Sequence, residues 1–197
     1  MTSAGGAFDE AWHGAWALRR TDASAALRIA DELSSEAERL DDPVRRGRVA
    51  LLEGSCRWRR SEYADALRLL LAADDLLAAD DVAGRAALEL DLGTVRNYFG
   101  QHDAALEHVL TSLRLSESLD DDAGRADAFN NLGILFWERR DLEEAERAYR
   151  ESVAIRERLG DIDGIAACRN NIAKVLTDQG IHDLALQELT EARRLWE

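Results

Sequence analysis

The sequence predicts an all-α fold made of helical hairpins stacked in a linear array. Three observations carry that expectation. The 197 residues are 46% hydrophobic and 32% charged, with one Pro and thirteen Gly. Ala, Leu, Arg and Glu dominate, all strong helix formers, so long stretches lack any helix breaker. The second observation is internal repetition. Gly14, Gly54, Gly93, Gly133 and Ala173 are spaced by 40, 39, 40 and 40 residues, and Ala26, Ala66, Ala105, Ala145 and Ala185 repeat those spacings 12 residues later. A fixed period of this size marks stacked supersecondary units, each of which buries its apolar face on its neighbours. The third is amphipathic spacing after the second marker, clearest in Ala145, Ala148, Tyr149, Ser152, Val153 and Ile155.

Taken in order, the elements are ten helices, two per repeat, and no strand. The two small-residue series sit where helix A and helix B of a repeat cross too closely for a larger side chain. Turns between them are expected near 20–23, 60–63, 99–102, 139–142 and 179–182. The repeats cover about 7–43, 44–83, 84–123, 124–163 and 164–197 as one array, after a disordered lead at 1–6. Asp42 before Pro43 reads as an N-cap followed by Pro at the first helical position. Leu159 ends a helix, Gly160 is its left-handed cap, and Asp161 and Asp163 precede the next helix.

The formal charge of −14 opposes nucleic-acid binding, which needs clustered Lys and Arg against phosphates, and opposes docking on an anionic membrane. No apolar run reaches the roughly 20 residues that span a bilayer. The first residues carry neither the charged nor the apolar region of a signal peptide, and a cytoplasmic setting is expected. Lys174 is the only lysine among 25 basic residues, a bias that points to a bacterial source. Cys56 and Cys168 fall in different repeats and read as small buried hydrophobes rather than a disulfide.

Phe129, Leu132, Gly133, Phe136, Ala145 and Tyr149 follow the pattern aromatic-x2-Leu-Gly-x2-aromatic, then Ala-x3-aromatic. On these residues the chain resembles the tetratricopeptide repeat family from about Ala7 onward, most closely in repeats three to five. His13 and Glu53 stand where the family prefers Leu, and its closing proline is missing. The resemblance implies a right-handed α-solenoid of five helix-turn-helix repeats. The period exceeds the family's usual length of about 34, and the excess is expected in a longer helix B and a longer exit. The wording around Asn130-Asn131-Leu132-Gly133 and the Gly160-Asp161 junction is similar to a 40-residue subclass found in bacterial signalling and transcriptional regulators.

A search for chemistry finds no catalytic signature: no metal-protease helix, paired-cysteine motif, nucleophile elbow or phosphate loop. The acidic clusters Asp41-Asp42, Asp74-Asp75, Asp80-Asp81 and Asp120-Asp121-Asp122 lie at repeat junctions, where caps and helix dipoles favour carboxylates over metal binding. The chain is therefore expected to be non-enzymatic, with no cofactor and no metal. The family resemblance implies instead a groove lined by helices A. Its contact positions here include Trp58, Asp91, Tyr98, Asp127, Asn131, Trp137, Asn171 and Lys174. Asn131 and Asn171 match the family's groove asparagine, whose amide both donates and accepts; they equally suit helix packing. Trp58 and Trp137 occupy equivalent positions, either as binding anchors or as filling for a narrow interior. With Lys174 as the only cation among the groove positions of repeats three to five, the partner expected is a protein or extended peptide that is basic or apolar rather than acidic.

The function expected is a protein-interaction module, the sensing or docking part of a bacterial regulatory system. A self-association module and an input domain for a signalling enzyme such as a nucleotide cyclase are the alternatives. Helix ten carries Leu186, Leu189, Ala192, Leu195 and Trp196. Leu186 and Leu189 are expected to face helix A of their own repeat, while Leu195 and Trp196 have no evident cover. A second copy of the chain, giving a homodimer through this end, or a further domain would complete the face.

Overall fold

The computed structural model describes residues 4–196. Ten helices and no strand are found among the described residues: α1 Ala4–Leu18, α2 Ala23–Arg39, α3 Pro43–Arg59, α4 Tyr63–Leu76, α5 Val82–Tyr98, α6 His102–Ser118, α7 Asp122–Glu138, α8 Leu142–Leu159, α9 Ile162–Asp178 and α10 His182–Arg194. The gaps between odd and even helices fall at the turns that the sequence predicts.

The chain forms two compact units, one ending at Phe99 and one starting at Gly100. The first holds α1–α5, the second α6–α10. In the first unit, Phe8, Trp12, Ala15, Ala26 and Ala30 share a buried cluster with Val49, Leu52 and Cys56, and Leu51, Ala66, Leu70, Leu88 and Leu92 form another. In the second, Ala145, Tyr149 and Val153 of α8 pack with Ile165, Cys168, Ile172 and Ala173 of α9. All six apolar-face residues expected on α8 are buried there.

The small-residue markers do what their spacing implies at two of the close crossings. A Cβ on Gly54 would stand 2.8 Å from Cγ of Leu70, and one on Gly133 would stand 2.6 Å from the Tyr149 ring. Gly14 differs, because nothing lies within 4 Å of its would-be Cβ. Ala26, Ala66, Ala105 and Ala145 are fully buried.

Helices A begin on a recurring carboxylate cap. Asp42 accepts from the amides of Val44 and Arg45, both at 3.1 Å, and Pro43 fills the first helical position. Asp81, Asp121 and Asp161 accept from Gly84, Gly124 and Gly164, each at 3.0 Å. A Cβ on Gly84 would come 2.8 Å from the Asp81 carboxylate, so glycine three residues after the cap lets the carboxylate close over the first turn. The acidic runs Asp41-Asp42, Asp80-Asp81 and Asp120-Asp121-Asp122 thus each include one cap, where the orphan amides and the helix dipole favour negative charge.

Three expectations need correction. Helix α1 starts at Ala4 and so takes in part of the segment assigned to a disordered lead; residues 1–3 lie outside the described residues. The extra repeat length is not confined to helix B: α3, α5, α7 and α9 have 17 residues each, and α8 is joined to α9 by only Gly160 and Asp161. Gly160 is the left-handed cap at φ 67°, but Asp163 lies inside the first turn of α9.

Candidate interaction surfaces

In the first unit, Trp58 ends α3 and Asp91 sits mid-way along α5. The indole Nε1 donates to Asp91 Oδ1 at 2.8 Å. Arg59 lies over the Trp58 ring at 4.1 Å, and its Nη1 donates to the Ser55 carbonyl and hydroxyl at 3.1 Å. Asp91 is 4% exposed, and its Oδ2 has no hydrogen-bond partner among the described residues. Trp58 and Asp91 meet across α3 and α5 and are turned towards each other.

Tyr98 belongs to a different feature. It is 60% exposed, stacks on Tyr63 with centroids 3.5 Å apart, and meets the edge of Phe99. The three rings and Glu62, Asp65, Ser61 and Ala64 border a cleft of about 380 Å³. Arg57 and Arg60 both donate to the Glu62 carboxylate, which holds its pKa below the ordinary value.

In the second unit, Trp137 and Lys174 border one cleft of about 530 Å³ with Asn170, Ala173, Thr177, Asp178 and Leu189. The indole Nε1 donates to Asp178 Oδ2 at 2.7 Å, and Arg140 reaches the same oxygen at 2.7 Å. Lys174 Nζ donates to Asn171 Oδ1 at 3.3 Å, while Asn171 Nδ2 donates to Asn130 Oδ1 at 3.2 Å. Asn171 therefore ties α9 to α7 and steadies Lys174, which borders this cleft. Asn131 is half-buried on α7 and is not among the residues bordering this cleft.

Asp127 turns away from the cleft. It pairs with Arg156 of α8, which also pairs with the cap Asp161 and donates to Ser152 Oγ at 3.1 Å. Ser152 donates in turn to the Ala126 carbonyl at 2.7 Å. Arg156 is only 6% exposed. Burial opposes its charge, but Asp127 and Asp161 outweigh that and hold its pKa above the usual value. The sequence offers one signal for this arginine: it lies at the repeat position that Ala37, Leu77 and Ser116 fill with buried uncharged side chains. Cys168 donates to Ser152 Oγ at 3.3 Å beside this network, and burial pushes its thiol pKa up; burial likewise raises that of Cys56 to about 11. Both cysteines are free and buried.

Leu189 is a lining residue that the groove register does not name. It faces helix A of its own repeat across the cleft, whereas Leu186 is 65% exposed and turns outward, contrary to expectation. Leu195 packs partly into the core, and Trp196 is 60% exposed, with its Nε1 donating to Asp163 at 3.1 Å. No group of three His, Cys, Asp or Glu that could hold a metal occurs among the described residues. No described helix is long and apolar enough to cross a membrane.

Paired helices with small residues at close crossings and Asp caps where α3, α5, α7 and α9 begin define a helical-repeat class of protein. Residues 84–158 match the tetratricopeptide repeat family. No curated protein matches it. Among solved structures, BtubC from P. vanneervenii is 17% identical, with a TM-score of 0.70 over 96% of this chain and 88% of that one. The apo form of RapI is 14% identical, with a TM-score of 0.75 over 96% of this chain and 70% of that one. Nearly identical TPR-like repeats from Podosopora anserina are 14% identical, with a TM-score of 0.66 over 99% and 97%. At these identities the likeness is one of fold.

Proposed function

We propose that this chain is a non-enzymatic protein-interaction module that takes a basic or apolar extended segment into the cleft between α7, α9 and α10. The cleft itself carries the reading. Trp137, Ala173 and Leu189 supply apolar surface, and Asn170, Lys174, Thr177 and Asp178 supply polar groups around it. An apolar cavity with a few placed polar groups is the usual form of a recognition site. The second unit, from Gly100 onward, carries twenty-one acidic against twelve basic residues, so a cationic segment is drawn to it and an acidic one repelled. A docking role in a cytoplasmic bacterial regulatory system follows from this reading and from the subclass resemblance. Trp137, Lys174 and Asn171 act in the second unit. Trp58, Asp91 and Tyr98 offer further contact in the first. Asp127 holds α7 to α8, and Asn131 offers a further amide on α7.

The test is a peptide array of extended segments varied in charge and apolar content. Segments pairing Arg or Lys with Leu or Phe should bind, and Trp137→Ala with Asp178→Lys should weaken them about tenfold or more. Equal binding by the folded double variant, or preference for acidic segments, would refute the cleft. Self-association is a second reading, favoured by a different observation, the outward leucine of α10.

A further inference from the structure

Most aromatic rings of the first unit are covered by the chain's own arginines. Phe8, Trp12, Trp16 and Trp58 lie under the guanidinium groups of Arg45, Arg48, Arg19 and Arg59, at 4.6, 5.7, 3.6 and 4.1 Å. Tyr63, Tyr98 and Phe99 are the remaining rings of that unit, and none has such a cover among the described residues. They meet instead at the cleft of about 380 Å³, with Phe99 43% exposed beside the more open Tyr98. Tyr98 is nearly parallel to Tyr63 and stands at 79° to Phe99, so the rings form a corner open to solvent. Repeat packing does not call for rings here. Other repeats place Arg19-Arg20, Arg59-Arg60, Glu138-Arg139 and Asp178-Gln179 where this one has Tyr98-Phe99. At the position of Tyr63 they place Ala23, His102, Leu142 and His182.

We propose that this corner receives an arginine side chain of a partner protein, its guanidinium lying against Tyr98 and Phe99 and turned towards Asp65. The site deepens the interaction reading, on which it rests, and uses residues of the first unit alone. The negative faces of the rings attract a cation, and the carboxylates on the rim set the charge of the occupant. Glu62 is already taken by Arg57 and Arg60, and Arg60 is also held by Ser24 Oγ at 2.9 Å. Asp65 is the available acid. Its one ion pair, with Arg68, spans 3.8 Å between side chains 59% and 70% exposed, a contact that yields to a better placed cation. Asp65 also offsets the partial positive charge at the start of α4. An acidic side chain would meet both Asp65 and the ring faces and be repelled. Arginine fits better than lysine, because a planar guanidinium stacks on a ring while it forks to a carboxylate.

The chain has three tyrosines, Tyr63, Tyr98 and Tyr149, and the last is buried in the second unit. Fluorine NMR of the whole chain labelled with meta-fluorotyrosine therefore reports the corner on two resonances and carries its own control. The probe is the peptide acetyl-Gly-Arg-Gly-amide, beside its lysine and citrulline versions. The arginine peptide should move the Tyr63 and Tyr98 resonances along saturating curves within about 20 millimolar and leave Tyr149 in place. The lysine peptide should bind about threefold more weakly, and the citrulline peptide, planar but uncharged, about tenfold. Tyr98→Leu should weaken the response of Tyr63 about tenfold with an unchanged helical spectrum, because the Tyr98 ring lies outside the core. Asp65→Asn should weaken it about threefold. No saturable shift at Tyr63 and Tyr98, equal binding of the lysine or citrulline peptide, or indifference to Asp65→Asn would overturn the arginine site. Trp137→Ala with Asp178→Lys separates the two proposals: it should remove capture by the α7–α9–α10 cleft and leave the tyrosine shifts unchanged. Arginine-dependent tyrosine shifts beside array binding indifferent to that double variant would sink the cleft alone.

Discussion

Replacing Arg156 with leucine is the sharpest perturbation of the second unit. The guanidinium pairs with Asp127 and Asp161 and donates to Ser152, joining α7, α8 and the first turn of α9. Removing one partner of a buried ion pair typically costs about 3–5 kcal/mol, because the remaining charge stays desolvated. Here the carboxylates left behind are less enclosed, with side chains 23% and 34% exposed against 7% for the arginine. Water can therefore recover part of their hydration, and the expected loss falls to about 2–3 kcal/mol. Leucine keeps the volume and has precedent at the same repeat position in Leu77, so cavity formation adds little.

The assay is urea unfolding combined with amide hydrogen exchange, because two compact units need not unfold together. Exchange should quicken in α8 and at the start of α9 and stay unchanged in α1–α4. Adding Asp127→Ala to Arg156→Leu should recover about half of the loss, since one stranded charge is then gone. An unchanged urea midpoint for Arg156→Leu would show that the network contributes nothing net, and the argument from desolvation would fail.

Further expectations concern the markers and a misplaced acid. Gly133→Ala should cost about 1–3 kcal/mol, since its Cβ would lie 2.6 Å from the Tyr149 ring. Gly14→Ala, with open space around it, should instead stabilise by about 0.5–1 kcal/mol through helix propensity; thermal melts of the two variants check the contrast. Glu53 stands where the family prefers Leu, and burial, reinforced by Asp31 and opposed by Arg57 and Arg68, raises its pKa above 4.5. The folded state then holds that proton more tightly than the unfolded state. Its contribution to stability is present below about pH 4.5 and is lost as pH rises through the raised value. Glu53→Gln should therefore gain on the wild type as pH rises from 4.5, and Glu53→Leu should raise the melting temperature at pH 7; parallel melts across pH decide both.

Much of the fold is legible in the sequence because its determinants are local and repeated. The Gly54, Gly133 and Ala145 positions report close crossings, and Asp42-Pro43 reports a helix start. What stays hidden depends on one side chain choosing between two neighbours. Asp127 occupies a groove register, yet Arg156 lies on the other side of α7 and captures it. Periodicity cannot show this, because Arg156 breaks a pattern of small or apolar residues rather than continuing one. Ser61 and Arg140 likewise take positive φ, at 64° and 66°, where the equivalent residues are Gly100 and Gly180. Only the alignment of repeats hints at that conformation. The apolar exposure of Leu186 stays hidden for a third reason: amphipathic spacing identifies an apolar side but not whether a neighbour covers it.

The equivalent tryptophans show how far register fixes role. Trp58 and Trp137 hold the same place in repeats two and four, and both indoles donate to a carboxylate of the following helix A. Their acceptors differ. Asp91 has a side chain 6% exposed, and its other oxygen has no partner among the described residues. Asp178 has a side chain 30% exposed and also takes Arg140. Trp58→Phe therefore strips the hydrogen-bond donor from a carboxylate that water cannot reach and leaves it only the longer ion pair with Arg59 at 3.8 Å, at about 1–3 kcal/mol. Trp137→Phe leaves Asp178 with its arginine and with solvent, so stability should change by less than about 0.5 kcal/mol. Binding should show the reverse order, because Trp137 borders the large cleft. Urea midpoints and peptide affinities of the two Phe variants test this directly. Equal destabilisation by both would mean that burial of the acceptor does not govern the cost, and that position in the repeat alone decides what a groove tryptophan does.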